Sequence, residues 1–185
     1  MARTPSTMVA LGTPVPDFFL PEVRVGDKVS PNDLMGAKAF VIMFISKHCP
    51  YVQNIMDQIT TLTGEYLNKS IRFAGIASND VENYPDDHPN EMAKLAKDLG
   101  WEFPVLYDED QSVARAFDAA CTPDFFVYNK KGLLVYRGQL DDSRPGNNIQ
   151  SDGKDLRAAL DAILEGSEPS PDQRPSLGCN IKWKS

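Results

Sequence analysis

The chain is poor in the residues that staple or metallate small domains: three cysteines and two histidines among 185 residues. So few thiols, and an odd number of them, exclude a disulfide-framework fold. No ligand pair stands at finger spacing, which argues against a zinc site. Long apolar runs are also missing. No stretch approaches the roughly 20 residues of a membrane helix, and Met1 to Ala10 has one arginine but no apolar segment of signal-peptide length. Positive charge is in deficit. Nineteen Lys and Arg against 26 Asp and Glu leave a net charge of −7, which opposes nucleic acid or an anionic membrane as partner. These absences, with 42% hydrophobic residues, lead us to expect a cytoplasmic globular protein with one full-sized core. In a reducing compartment its cysteines are either buried hydrophobes or redox-active thiols.

What is present is an alternation of two periodicities. Residues 12–35 hold Gly, Pro and short apolar pieces that read as a β-hairpin extension. Ala39 to Ile45 is a continuous apolar run, the pattern of a strand covered on both faces. Val52, Ile55, Met56, Ile59, Leu62 and Tyr66 then repeat at helical spacing. A second strand is predicted over 71–78 and a third over 103–107. Helices are predicted after Pro89, around Val113 to Phe117, and over about 155–165. Asp124 to Tyr128 and Leu133 to Tyr136 flank Asn129-Lys130-Lys131-Gly132 as an antiparallel hairpin. The order predicts an α/β fold with a central mixed sheet in a domain of residues 1–166. A C-terminal tail, 167–185, packs on or near it.

In such a sheet ligand sites lie beyond the carboxyl ends of the parallel strands. Loops 47–51, 79–88, 120–123 and 139–148 should therefore meet. One of them carries His48-Cys49-Pro50-Tyr51, where a buried strand gives way to a helix. First-turn N–H groups and the helix dipole favour a thiolate at that place. Pro50 suits the first helical position. His48 can raise the thiolate population, shuttle a proton, or stand exposed. Tyr51 offers a hydroxyl at the rim or packs. Thr122-Pro123 opens the next strand, and Cys121 beside it is either a resolving thiol or a small buried hydrophobe. The tail's Ile181 and Trp183 should dock on the body. Its Cys179 is then either a third redox candidate, directed at Cys49 or at another chain, as in a homodimer, or an incidental thiol.

Several segments together resemble the thioredoxin superfamily, in its redoxin or AhpC/TSA peroxiredoxin-like branch. They are Gly12 to Leu20, the strand into His48-Cys49-Pro50-Tyr51, Thr122-Pro123 and the hairpin Val127 to Gly138. The resemblance implies a thioredoxin-like three-layer fold, with Thr122-Pro123 as its cis-proline loop. It implies an antioxidant thiol–disulfide oxidoreductase with Cys49 as nucleophile, for which the shared rim makes Cys121 the favoured resolving thiol. His48 assists, and Pro50, Tyr51, Thr122, Pro123 and Arg144 border the substrate groove. Partners would be a protein or small-molecule disulfide and a thiol reductant such as a thioredoxin; neither cofactor nor metal is implied. Two departures narrow this. The second cysteine of a Cys-x-x-Cys pair is Val52, and Met43 replaces the buried acid of thioredoxins. Against peroxiredoxins, Ile42 stands for the motif proline, Ser46 supplies a hydroxyl, and Arg137 or Arg144 must serve as the arginine. A hydroperoxide reductase and a non-catalytic thioredoxin-fold binding protein are the two rival readings.

Overall fold

A computed structural model describes residues 3–185. In chain order the elements are β1 (Arg3–Pro5), β2 (Leu20–Pro21), β3 (Lys28–Val29), α1 (Pro31–Leu34), β4 (Ala39–Phe44), α2 (Pro50–Leu67), β5 (Ile71–Ala77) and α3 (Pro89–Asp98). They continue with β6 (Val105–Tyr107), α4 (Ser112–Ala116), β7 (Cys121–Thr122), β8 (Asp124–Asn129), β9 (Leu134–Gly138), α5 (Lys154–Leu164) and β10 (Leu177–Asn180).

Every residue of β4 is buried, because its two faces meet different helical layers. Ala39, Val41 and Met43 pack with Val52, Ile55 and Ile59 of α2, Met92 of α3 and Leu160 of α5. Phe40, Ile42 and Phe44 pack with Phe18, Leu34, Val113 and Phe117. The Phe117 ring meets those of Phe44 and Phe126 edge-on at 5.5 and 5.4 Å. Burying one such side chain contributes about 1.5–3 kcal/mol, more than the roughly 1 kcal/mol span of strand propensity. Two-sided burial therefore decides the strand. The central sheet runs β6-β5-β4-β8-β9. β4, β5 and β6 are parallel, and β8 and β9 antiparallel. This is the α/β arrangement with a mixed sheet that the periodicities predict, in the three layers that the resemblance implies.

The ends of the chain depart from expectation. The hairpin predicted over 12–35 shrinks to the pairing of Leu20–Pro21 with Lys28–Val29. Its second half turns into α1 instead, because the Ser30 and Asp33 side chains build a capping box before Pro31. Residues 12–15 run along the β8–β9 hairpin, with Gly12 N donating to Leu134 O and Val15 N to Gly132 O. The tail is not merely packed on the body. Its strand β10 lies antiparallel between β1 and β7 in a second, three-stranded sheet. Ile181 docks at 1% exposure, whereas Trp183 keeps 39% exposed beneath the Arg115 guanidinium, 4.4 Å from its ring. Among the described residues no helix is long and apolar enough to cross a membrane.

Candidate active site

Cys49 is the residue before α2, in extended backbone, with Pro50 at the first helical position. Pro50 lacks only an N–H that the first turn could not use. The cysteine is wholly buried. Its Sγ donates to the Thr122 carbonyl at 3.1 Å, immediately before the cis Thr122-Pro123 bond. It also lies 2.8 Å from Cys179 Sγ. That separation exceeds the roughly 2.05 Å of a disulfide, so the two sulfurs are adjacent and unbonded.

β10 makes this contact by register. Cys179 stands opposite Thr122 on one side and Arg3 on the other, and Asn180 stands opposite Cys121. The preceding Gly178 lets the strand approach, since a Cβ there would sit 1.9 Å from Thr122 O. Cys121 is equally buried, but its Sγ turns to Pro123 O at 3.6 Å. Of the two cysteines expected near Cys49, the one in contact is the tail's.

His48 is held rather than exposed. Its Nδ1 lies 2.8 Å from Asp87 Oδ2 and its ring stacks on Tyr84 at 5.2 Å. Asp87 is 1% exposed and fixes the whole turn before Cys49. Its Oδ1 accepts from Lys47 N at 2.6 Å and His48 N at 3.3 Å. Its Oδ2 accepts from Ser46 Oγ at 2.7 Å and Asn79 Nδ2 at 2.6 Å. The Ser46 hydroxyl thus serves Asp87, not the Cys49 sulfur. Lys47 Nζ pairs with Glu91. Nothing in the sequence flags Asp87 except its place in a rim loop, because its role depends on contacts about 40 residues away.

The four rim loops do converge. Tyr51, Pro123 and Arg144 line one shallow groove with Phe125, Gln139 and Leu177. Asn54 of α2 donates to Ser143 Oγ at 2.9 Å across it. Arg144 spends its donors locally, on Asp141 O at 2.6 Å, Ser143 O at 2.7 Å and Gln139 Oε1. Arg137 points inward, wholly buried, 3.1 Å from Asp124 Oδ2 and with its guanidinium carbon 4.3 Å from the Phe126 ring centre. Burial raises the Asp124 carboxyl to about 6 while Arg137 pulls it back down. Neither arginine has the Cys49 sulfur among its described contacts.

Burial, and then contact with Cys49, pushes the Cys179 thiol up to about 12. Burial, and then Asp124, pushes Cys121 up as well. This fixes a pH dependence. An unfolded cysteine loses its proton near 8.5, whereas folded Cys179 keeps it until about 12. Between those values the folded chain binds more protons than the unfolded one, so stability falls as pH rises. Urea unfolding at pH 8 and pH 10 should show reduced wild type losing more stability than Cys179→Ala. Equal losses would mean that Cys179 is not the group responsible.

The AhpC/TSA family model matches residues 11–137, more than half of the chain. An uncharacterized conserved protein of Geobacillus kaustophilus superposes with a TM-score of 0.97 at 49% identity, over 100% of this chain and 97% of that one. The thiol-disulfide oxidoreductase YkuV of Bacillus subtilis is 23% identical over 124 residues, 67% of this chain and 82% of that protein. A thiol:disulfide interchange protein of the thioredoxin family from Chlorobium tepidum matches at a TM-score of 0.61 and 20% identity, over 86% of this chain and 99% of that one. That last likeness speaks for the fold, which is thioredoxin-like.

Proposed function

The chain belongs to the AhpC/TSA family, and from that premise we propose that it is a thiol–disulfide oxidoreductase with Cys49 as nucleophile and Cys179 as resolving thiol. The observation that carries the reading is the 2.8 Å separation of the two sulfurs. Cys49 stands at the anion-favouring end of an 18-residue helix. YkuV, the Bacillus relative, is named for the same chemistry.

The cycle has three stages, each made of thiol–disulfide exchange. The Cys49 thiolate attacks a substrate disulfide, forms a mixed disulfide and releases one substrate thiolate. Cys179, giving up its proton, attacks Cys49 Sγ and expels the second substrate thiolate. The product is a Cys49–Cys179 disulfide; the substrate has gained two electrons and the protein has lost two. An external dithiol, of the kind a thioredoxin supplies, then reduces that disulfide and is itself oxidised. The oxidant is a protein or small-molecule disulfide.

Cys121, the residue that rim topology favours, takes no part in this scheme. Oxidising the reduced protein with glutathione disulfide and mapping its peptides tests the assignment. The expected product links the Cys49 and Cys179 peptides. A dominant Cys49–Cys121 link, or only glutathione adducts, would overturn it.

A further inference from the structure

Exchange with an outside disulfide requires Cys49 to be reached, yet Cys49 is 0% and Cys179 2% exposed. The strand that covers them must leave for a substrate to enter. Beyond Cys179 it is fastened by two buried amide side chains. Asn79 Oδ1 accepts from Lys182 N at 2.8 Å. Gln111 Nε2 donates to Lys182 O at 2.7 Å, and Gln111 Oε1 accepts from Lys184 N at 2.8 Å. Asp80 N also donates to Lys182 O, at 2.8 Å. The backbone at 182–184 is thus gripped from both sides.

Gln111 holds this position at φ 62°, the left-handed region that glycine adopts freely and other residues adopt at a cost. Glycine there would relieve the strain and remove the grip together. Asn79 has a second connection. Its Nδ2 donates to Asp87 Oδ2 at 2.6 Å, and Asp87 is the carboxylate that fixes Lys47 and His48. One buried network therefore holds both the end of the tail and the turn that presents Cys49.

We propose that Asn79 and Gln111 are positioning residues, an amide clamp that sets how often β10 lifts from Cys49 and so governs substrate access to that sulfur. Its meaning for turnover rests on the exchange reading above, but the clamp itself is measured without any substrate.

The experiment is alkylation of the reduced full-length protein by iodoacetamide, with the rate at Cys49 followed by mass spectrometry of its peptide. In wild type the rate should track the population of the lifted strand. Gln111→Ala and Asn79→Ala should each raise it by about tenfold through the buried hydrogen bonds they remove. Lys182→Pro deletes the N–H that Asn79 accepts, together with the Nζ contacts to Asn180 and the Tyr84 ring, but changes the tail and neither clamp residue, so it should do the same even if a core variant folds poorly. Asn79→Ala and Lys182→Pro together should fall short of the product of their single effects, since the bond from Lys182 N to Asn79 Oδ1 is lost in both. Unchanged rates, or single effects that multiply as for independent destabilisation, would overturn the clamp. Fast alkylation in the variants without any disulfide turnover would sink the oxidoreductase reading and leave the clamp standing.

Discussion

Cys179→Ser should stop the proposed cycle halfway and leave Cys49 joined to one half of its substrate. Cys179 Sγ, the resolving thiol of the proposed cycle, sits 2.8 Å from Cys49, so its attack would be intramolecular, at an effective concentration that an external thiol in the millimolar range does not match. A serine hydroxyl cannot replace it, being a far weaker nucleophile without a strong base. Steady-state turnover of a disulfide substrate should fall by at least about 10²-fold, and intact mass should show a stoichiometric adduct on Cys49. Cys49→Ser should lose both turnover and adduct. Cys121→Ala should keep turnover within about twofold, because its sulfur faces Pro123 O and not Cys49. A Cys179→Ser protein that turns over normally, or a Cys121→Ala protein that accumulates the adduct, would reverse the two assignments.

The trapped species also separates exchange from peroxide chemistry. A peroxidatic cysteine needs groups aimed at the leaving oxygen. Here the Ser46 hydroxyl is taken by Asp87, the Arg137 Nη2 is turned to Asp124, and Arg144 is taken by its own loop. What stands beside Cys49 is a carbonyl and a second thiol. That is a setting for passing a disulfide bond along.

Much of this was legible from local pattern. β4, β5 and the β8–β9 hairpin announce themselves because each is covered on one or both faces. α2, α3 and α5 do so because one face is apolar and the other is not. Cys49 was legible as a junction residue, and the convergence of four loops followed from strand direction alone. The second sheet was not. β1, β7 and β10 are two to four residues long, too short to carry a period. Their pairing joins Arg3 to Cys179 across almost the whole chain. Strand direction brings Cys121 to the right rim, but which sulfur meets Cys49 is decided by the register of β10, which only tertiary contacts set. Asp87, Asn79 and Gln111 carry no local signal for the same reason. Each is a polar loop residue with a partner 40 to 103 positions away.

Gly178→Ala should separate the two sulfurs without disturbing the main fold. The added methyl would lie 1.9 Å from Thr122 O and 2.6 Å from Thr122 C, both backbone atoms that cannot swing aside as a side-chain tip could. Thr122 lies at the head of β8, which pairs in register with all six residues of β4. β10 is therefore the partner that must move, and it takes Cys179 with it. The five-stranded sheet does not include β10, so far-UV circular dichroism should be retained. A fall of about 100-fold in the effective concentration of Cys179 would raise the reduction potential of the Cys49–Cys179 couple by about 59 mV, at 29.6 mV per tenfold. Equilibration against glutathione measures it. Gly64→Ala is the matched control, since its methyl meets nothing within 4 Å inside α2. It should leave the potential unchanged and stabilise the helix by up to about 1 kcal/mol. A Gly178→Ala potential within about 10 mV of wild type would mean that close approach of β10 to Thr122 does not set the pairing, because a tenfold loss of effective concentration already exceeds that margin.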